Sequence, residues 1–182
     1  LFGERKPAGG SDELLQRQRE DLATLVFEPA VMGAAKELPA VVRALKGHGC
    51  LAPDGGVGLF GFSAGGASVL YALAEADVRI DAAVTLNAST GLSASVEGYE
   101  GATKQAYTWS DAARRLAQRS DAVSRAKDIV RGHPPPALLL IHGKDDAMMT
   151  ADGAIDLHRA LQPLYWDAEA AQRLQLLVVP GV

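Results

Sequence analysis

The sequence predicts an α/β fold, a mostly parallel sheet flanked by helices on both faces. Apolar runs of strand length alternate with helical patterns along the chain, and this order is typical of parallel sheets, whose crossovers are helices. The clearest apolar run, residues 137–141, contains no polar residue and indicates a strand buried on both faces. Four such strands, at 48% hydrophobic content over 182 residues, predict a single domain across residues 1–182.

The first half of the chain predicts two helices and then a strand. A helical pattern begins at Ser11 and is interrupted by Pro29. A second pattern covers residues 30–46, and Pro39 within it predicts a kink or a break because proline removes a backbone donor. The first strand is predicted to begin near Gly56, and an alanine- and leucine-rich helix follows it.

The second half predicts three more strands and the segments between them. These strands are residues 80–86, 137–141 and 174–179. Residues 87–101 are rich in Ser and Gly and predict a loop, whereas residues 109–130 predict a helix. A further helix is predicted over residues 151–164.

A glycine-rich turn joins the first strand to its helix. Ser63 is the middle residue of a Gly-x-Ser-x-Gly pattern bounded by Gly61 and Gly65. So tight a turn predicts that Cβ atoms at Gly61, Gly65 and Gly66 would collide with the neighbouring strand and helix. We therefore expect the Ser63 hydroxyl to project at the carboxyl end of the strand. The amide of Ala64 would point the same way, at the amino terminus of a helix, where it suits an oxyanion.

Two segments carry a resemblance to a known family. The strand, turn and helix around Ser63 resemble the nucleophile elbow of the α/β-hydrolase superfamily, and the run from His142 to Asp146 resembles its His-Gly-x-x-Asp motif. The resemblance is to serine esterases of the small carboxylesterase and dienelactone hydrolase type. It implies Ser63 as nucleophile, the Ala64 amide as an oxyanion donor and Asp146 as the triad acid, with Asp145 as the fallback.

Each assignment has a structural alternative. Ser63 could cap a glycine-rich packing turn, and Asp145 and Asp146 could be ordinary turn carboxylates that cap the next helix. The family order puts the base, a histidine, after the last strand. The four histidines of the sequence fit structural or solvated positions better: His48, His133, His142 and His158.

The ends of the sequence predict a longer parent chain. Residues 1–10 predict a loop, in which Gly3-Glu4-Arg5 resembles a loop after the fourth strand of small hydrolase-fold esterases. We expect three or four further strands before Leu1, where the second oxyanion donor would lie, and the catalytic histidine after Val182. The competing interpretation is a natural homologue that has lost its activity.

Candidate substrate-pocket residues flank the acid. Residues 87–136 occupy the place where this fold usually inserts a cap, and their number allows one or two helices rather than a large lid. Within and just after this interval, Tyr107, Trp109, Met148 and Met149 are the candidates for contact with a substrate. Aromatic and methionine side chains are nevertheless more often plain core. The short cap predicts an accessible site for small or flexible substrates.

Composition narrows the partners and the compartment. The net charge of -4 and the dispersed Lys and Arg residues indicate neither nucleic acid nor an anionic membrane as a partner. The sequence contains no run of 18 apolar residues, so no membrane-spanning helix is predicted. The single cysteine, Cys50, excludes an internal disulfide and favours a reducing compartment, so a cytoplasmic location is expected. The sequence contains neither a cluster of metal-ligating residues nor a phosphate-binding loop, so no metal and no organic cofactor are expected.

Together these patterns predict a serine esterase that cleaves small carboxylic esters through an acyl-enzyme on Ser63. A peptidase or a thioesterase would use the same catalytic residues, and a non-catalytic homologue would keep the fold without turnover. A haloalkane dehalogenase is disfavoured because it would carry a carboxylate at position 63.

Overall fold

The computed structural model describes the backbone of residues 7–181, so the expectations for Gly3-Glu4-Arg5 and Val182 lie outside the described residues. The strands are β1 (Val57–Phe62), β2 (Ile80–Leu86), β3 (Ala137–Gly143) and β4 (Leu174–Val179). The α-helices are α1 (Gly10–Leu22), α2 (Gly33–Gly47), α3 (Ala64–Glu75), α4 (Leu92–Thr103), α5 (Asp111–Ser120), α6 (Ala126–Ile129), α7 (Asp152–Leu161) and α8 (Ala168–Ala171). A π-helix covers Ala23–Met32, and a 3-10 turn covers Gln162–Leu164.

The four strands form one parallel sheet in the order β1-β2-β3-β4. At the carboxyl edge, Phe62 lies opposite Leu86, and Leu86 lies opposite Ile141. Residues that follow β1, β2 and β3 therefore meet at one edge of the sheet, where α/β folds gather their functional groups. The predicted α/β class and the four predicted strands are confirmed.

One face of the sheet carries the main core. Ala83, Leu138 and Leu140 are each at most 2% exposed and pack against α3 and α7. On the opposite face, Phe60 and Phe62 of β1 and Leu177 of β4 each expose more than half of their surface. The sequence predicts a helical layer on that face as well, and within residues 7–181 these three side chains are uncovered.

The two prolines predicted to interrupt helices lie inside them instead. Pro29 sits in the π-helix, whose wider turn is one of the ways in which a helix accommodates an irregularity. Pro39 lies inside α2, which continues to Gly47. The real break is at Asp21, whose backbone is extended at φ -158° and ψ 99°. Its carboxylate accepts hydrogen bonds from the amides of Ala23 and Thr24 and so caps the segment that follows.

The cap interval, residues 87–136, is more helical than predicted at its start and less so afterwards. Residues 92–103, predicted as loop, form α4, whose Leu92 and Val96 are buried one turn apart. The predicted helix over residues 109–130 is split into α5 and the single turn α6. At the split, the Ser120 hydroxyl at the end of α5 accepts a hydrogen bond from the amide of Leu92 at 3.0 Å, which joins the end of α5 to the start of α4.

Candidate active site

Ser63 occupies the strained position of the turn between β1 and α3. Its backbone angles are φ 53° and ψ -123°, a conformation that residues other than glycine rarely adopt. The Ser63 amide donates to the carbonyl of Leu86 at 2.9 Å, which ties the turn to the end of β2. The residue is partly exposed, and no side chain within residues 7–181 hydrogen-bonds to its hydroxyl.

Two of the three glycines at the turn are sterically required. A Cβ on Gly61 would overlap the backbone of Gly65, and a Cβ on Gly66 would overlap the side chain of Ala88. The prediction of a collision at Gly65 is wrong, because a Cβ there would meet nothing within 4 Å. Gly65 is partly buried in the first turn of α3, whereas Gly61 and Gly66 face each other across the bend.

The amino terminus of α3 presents a backbone donor beside Ser63. The amides of Gly66 and Ala67 donate to the Ser63 carbonyl at 2.9 and 3.2 Å. The amide of Ala64 precedes them, and helix geometry leaves that first N–H without an intrahelical acceptor. It also lies at the positive end of the helix dipole. The arrangement can place one hydrogen-bond donor next to negative charge that develops on a substrate bound at Ser63.

Asp146 lies in the turn after β3, and its carboxylate is held by three donors. Oδ1 accepts from the amides of Met148 at 2.8 Å and Met149 at 3.0 Å. Oδ2 accepts from the side-chain amide of Asn87 at 2.7 Å. The side chain retains 14% of its surface exposed, so the carboxylate is neither solvated like a surface acid nor sealed in the core.

Asp145 faces a different way. It is exposed, and its Oδ2 accepts a hydrogen bond from the amide of Gly181 at 2.9 Å. Next to it, the amide of Lys144 donates to the carbonyl of Val179 at 2.8 Å. The two neighbouring acids therefore have separate partners: Asp145 holds the chain that leaves β4, and Asp146 holds the turn after β3 together with the end of β2.

Asn87 is the residue of this edge that the sequence analysis missed. It follows the last residue of β2 with φ 45°, a conformation that Asn tolerates better than most residues. Its backbone amide donates to the carbonyl of Ile141 at 2.9 Å, and its Oδ1 accepts from the amide of Gly143 at 2.9 Å. The available signal was an Asn directly after a predicted parallel strand, where it must meet the ends of neighbouring strands.

His142 is a buried structural residue, as predicted. Only 1% of it is exposed, and its Nε2 contacts the carbonyl of Met149 at 2.8 Å. The same nitrogen lies 3.9 Å from Oδ2 of Asp146, beyond hydrogen-bond distance. Within the described residues, its Nδ1 is buried without a hydrogen-bond partner. His142 therefore lies in the core beneath the turn that carries Asp146, called here the acid turn. It makes no hydrogen bond to Asp146 that would link it to the Ser63 hydroxyl.

The candidate pocket residues fall into two separate groups. The Tyr107 hydroxyl donates to Oδ1 of Asp21 at 2.6 Å, and its ring packs edge-on against Trp109 at 5.2 Å between centroids. Burial, together with that carboxylate, raises the pKa of Tyr107 to about 12. Met148 and Met149 instead line a cavity of about 440 Å³ beside α4. Tyr107 thus joins the cap interval to the amino-terminal helices, and only the methionines remain next to the acid turn.

Helix α4, which the sequence analysis missed, packs directly on that turn. A Cβ on Gly98 would come within 2.6 Å of the Met148 carbonyl, so glycine permits the close approach.

Within residues 7–181 no group of three or more His, Cys, Asp or Glu side chains could hold a metal ion. No helix in the same range is long and apolar enough to cross a membrane.

A serine in a strained strand-to-helix turn after β1, with an acid after β3 of the same parallel sheet, is the arrangement that typifies the α/β-hydrolase fold. Residues 33–182 match the prolyl oligopeptidase family, and the chain belongs to that family. Comparison with curated proteins finds no match.

Solved structures share the fold at low sequence identity. A puromycin hydrolase matches with a TM-score of 0.58 and 19% identity, over 79% of this chain and 20% of that one. An acylaminoacyl peptidase from Pyrococcus horikoshii matches with a TM-score of 0.55 and 16% identity, over 78% and 22%. An esterase from Pyrococcus furiosus matches with a TM-score of 0.54 and 16% identity, over 79% and 51%. The chain therefore spans about a fifth of the length of the puromycin hydrolase and of the acylaminoacyl peptidase, and about half of the esterase.

Proposed function

We propose that this protein hydrolyses small carboxylic esters through an acyl-enzyme on Ser63. The observation that carries the proposal is the conformation of Ser63, which is strained, anchored to β2 and partly exposed beside the first amide of α3. Strain of this kind persists only where the surrounding structure enforces it. The hydrogen bond from the Ser63 amide to Leu86 at 2.9 Å holds the turn, and Gly61 permits the close backbone approach within it.

The proposed reaction is an acyl transfer in two stages. Oγ of Ser63 attacks the ester carbonyl while a histidine accepts its proton, and the Ala64 amide stabilises the tetrahedral oxyanion. The histidine then protonates the departing alcohol. Water, deprotonated by the same histidine, attacks the acyl group, and collapse of the second tetrahedral intermediate returns the proton to Ser63.

Asp146 is proposed to orient that histidine. Its Oδ1 already accepts two backbone amides, whereas its Oδ2 accepts one side-chain amide and keeps acceptor capacity for an imidazole N–H. The histidine itself is proposed to follow β4. Two contacts support this placement, because Gly181 bonds to Asp145 and Val179 bonds to Lys144, so the chain that leaves β4 runs beside the acid turn.

Hydrolysis of peptides or aminoacyl amides is the second candidate, and the family match favours it. The same serine, acid and oxyanion donor would serve, since an amide differs from an ester only in the group that leaves. The matched puromycin hydrolase, acylaminoacyl peptidase and esterase share this fold, so the fold does not determine the leaving group.

The test is a substrate panel on the full-length protein that contains residues 1–182, with Ser63→Ala as the matched variant. The panel comprises p-nitrophenyl esters, thioesters and aminoacyl p-nitroanilides. We expect turnover of esters and a fall in kcat of about 10⁴-fold or more in the variant, with circular dichroism unchanged. Turnover of anilides in preference to esters would favour the peptidase. A variant as active as the wild type would contradict both candidates.

A further inference from the structure

The ends of β2 and β3 are joined by one side chain. Asn87 accepts a hydrogen bond from the Gly143 amide through Oδ1 and donates one to Oδ2 of Asp146 through Nδ2, at 2.9 and 2.7 Å. Its own backbone amide bonds to Ile141 at 2.9 Å. Three hydrogen bonds thus hold a residue at positive φ between the acid and the strand from which the acid turn departs.

The chemistry of the two neighbours determines which way the Asn87 amide faces. A backbone N–H needs an acceptor and a carboxylate needs a donor, so the carbonyl oxygen must face Gly143 and the nitrogen must face Asp146. An aspartate of the same shape could serve Gly143 but would place a second negative charge against Asp146. A glycine could adopt the same backbone angles but would leave both neighbours without this partner.

The amides of the turn determine which oxygen of Asp146 is left for another partner, and Asn87 contacts that oxygen. Oδ1 is occupied by two amides of the turn, so Oδ2 is the oxygen with acceptor capacity. Within residues 7–181, Asn87 is the one side chain that donates a hydrogen bond to Oδ2. His142 lies 3.9 Å from that oxygen, and its Nε2 is engaged with the Met149 carbonyl.

We infer that Asn87 is a positioning residue that holds Oδ2 of Asp146 in the orientation required by the catalytic histidine. The inference rests on the proposed function and adds a residue that lies 59 positions before the acid in the chain. Asn87 acts through Asp146 and takes no part in bond making. Its hydrogen bond fixes the orientation of the oxygen that would accept the imidazole N–H.

The experiment compares Asn87→Asp and Asn87→Gly with wild type in the full-length protein, on the best substrate of the panel. For both variants we expect kcat to fall about 10- to 100-fold with KM nearly unchanged, because a displaced carboxylate misorients the base. For Asn87→Asp we also expect the acidic limb of the kcat/KM profile to move to higher pH. A second carboxylate near the catalytic histidine disfavours loss of the proton from its imidazolium.

Controls separate this inference from a merely structural effect. Lys104 also has positive φ, so Lys104→Gly repeats the glycine exchange away from the acid and should leave kcat unchanged. If Asn87→Asp does not fold, Asn87→Gly alone decides on kcat. Wild-type kcat in the variants, or an equal fall in Lys104→Gly, overturns the inference while the proposed function stands. A wild-type protein without turnover overturns both.

Discussion

The turn at Ser63 and the turn at Asp146 lie at the same edge of the sheet but are built in different ways. The turn at Ser63 is made by the backbone: a missing Cβ at Gly61, a positive φ and a helix that begins at once. The turn at Asp146 is made by hydrogen bonds, two from local amides and one from Asn87 on a different strand. The first is encoded within a few residues, and the second depends on the completed sheet.

This difference predicts different responses to substitution. A backbone-built turn should fail when a Cβ is added and should be indifferent to distant side chains. A turn built from hydrogen bonds should keep its fold when one partner is exchanged for an isostere, and should lose its chemistry instead. The following substitutions test that division, from the largest expected effect to the smallest.

Asp146→Asn should lower kcat by about 10³- to 10⁴-fold in the full-length protein, because an amide cannot stabilise an imidazolium and can hold the wrong tautomer. Asp145→Asn is the matched control, and it should change kcat less than about threefold because Asn still accepts from Gly181. Steady-state kinetics of the two variants check this. The reverse pattern would transfer the acid role to Asp145.

Gly61→Ala should lower the free energy of unfolding by about 3 kcal/mol or more. The added Cβ would overlap the backbone of Gly65, which cannot move without opening the turn. Urea unfolding followed by circular dichroism measures the change. Wild-type stability in this variant would show that the turn yields, and the account of a backbone-built elbow would be wrong.

Tyr107→Phe should lower the free energy of unfolding by about 1 to 2 kcal/mol, because Asp21 loses a hydrogen bond to a charged group. Burial alone would raise the pKa of Asp21, but hydrogen bonds from Thr24, Tyr107 and two amides lower it overall. The pKa of Tyr107 is raised to about 12. The difference from wild type should be constant near neutral pH. It should shrink as pH rises from about 10 through 12, where wild-type Tyr107 ionises, and as pH falls below the usual carboxyl range, where Asp21 is protonated.

A pH series of urea unfolding curves for Tyr107→Phe and wild type checks this prediction. A difference that persists unchanged above pH 12 would contradict the assignment of the effect to the Tyr107 hydroxyl.

Gly65→Ala should have the smallest effect, within about 0.5 kcal/mol of wild type. A Cβ at this position meets open space, and the residue lies in the first turn of α3. The same urea experiment as for Gly61→Ala measures it. A loss comparable with that of Gly61→Ala would restore the collision that the sequence analysis predicted.

The parts of the molecule that the sequence predicted well are those encoded locally. The four strands, the Ser63 turn and the acid turn each rest on a few consecutive residues whose apolar run or glycine pattern is visible. Asn87 was missed because its meaning arises only when β2 and β3 pair and bring it to Asp146. Helix α4 was missed because its Ser and Gly content conceals the buried pair Leu92 and Val96.

One error had the opposite origin, a local rule that tertiary structure overrides. Proline is disfavoured in a helix interior, yet α2 continues past Pro39. Ala35 and Val42, on either side of Pro39, are buried. Tyr107 and Trp109 carried a pocket prediction from their place in the chain. The structure adds a hydrogen bond from Tyr107 to Asp21, 86 positions earlier, which no pattern near Tyr107 could reveal.

The most direct test of the account is covalent labelling of the full-length protein with a fluorophosphonate probe, followed by peptide mapping. We expect a single adduct on Ser63 that disappears in Ser63→Ala. An active protein that carries its adduct on another residue, or that stays unlabelled while it hydrolyses substrate, would contradict the assignment of Ser63 as the nucleophile.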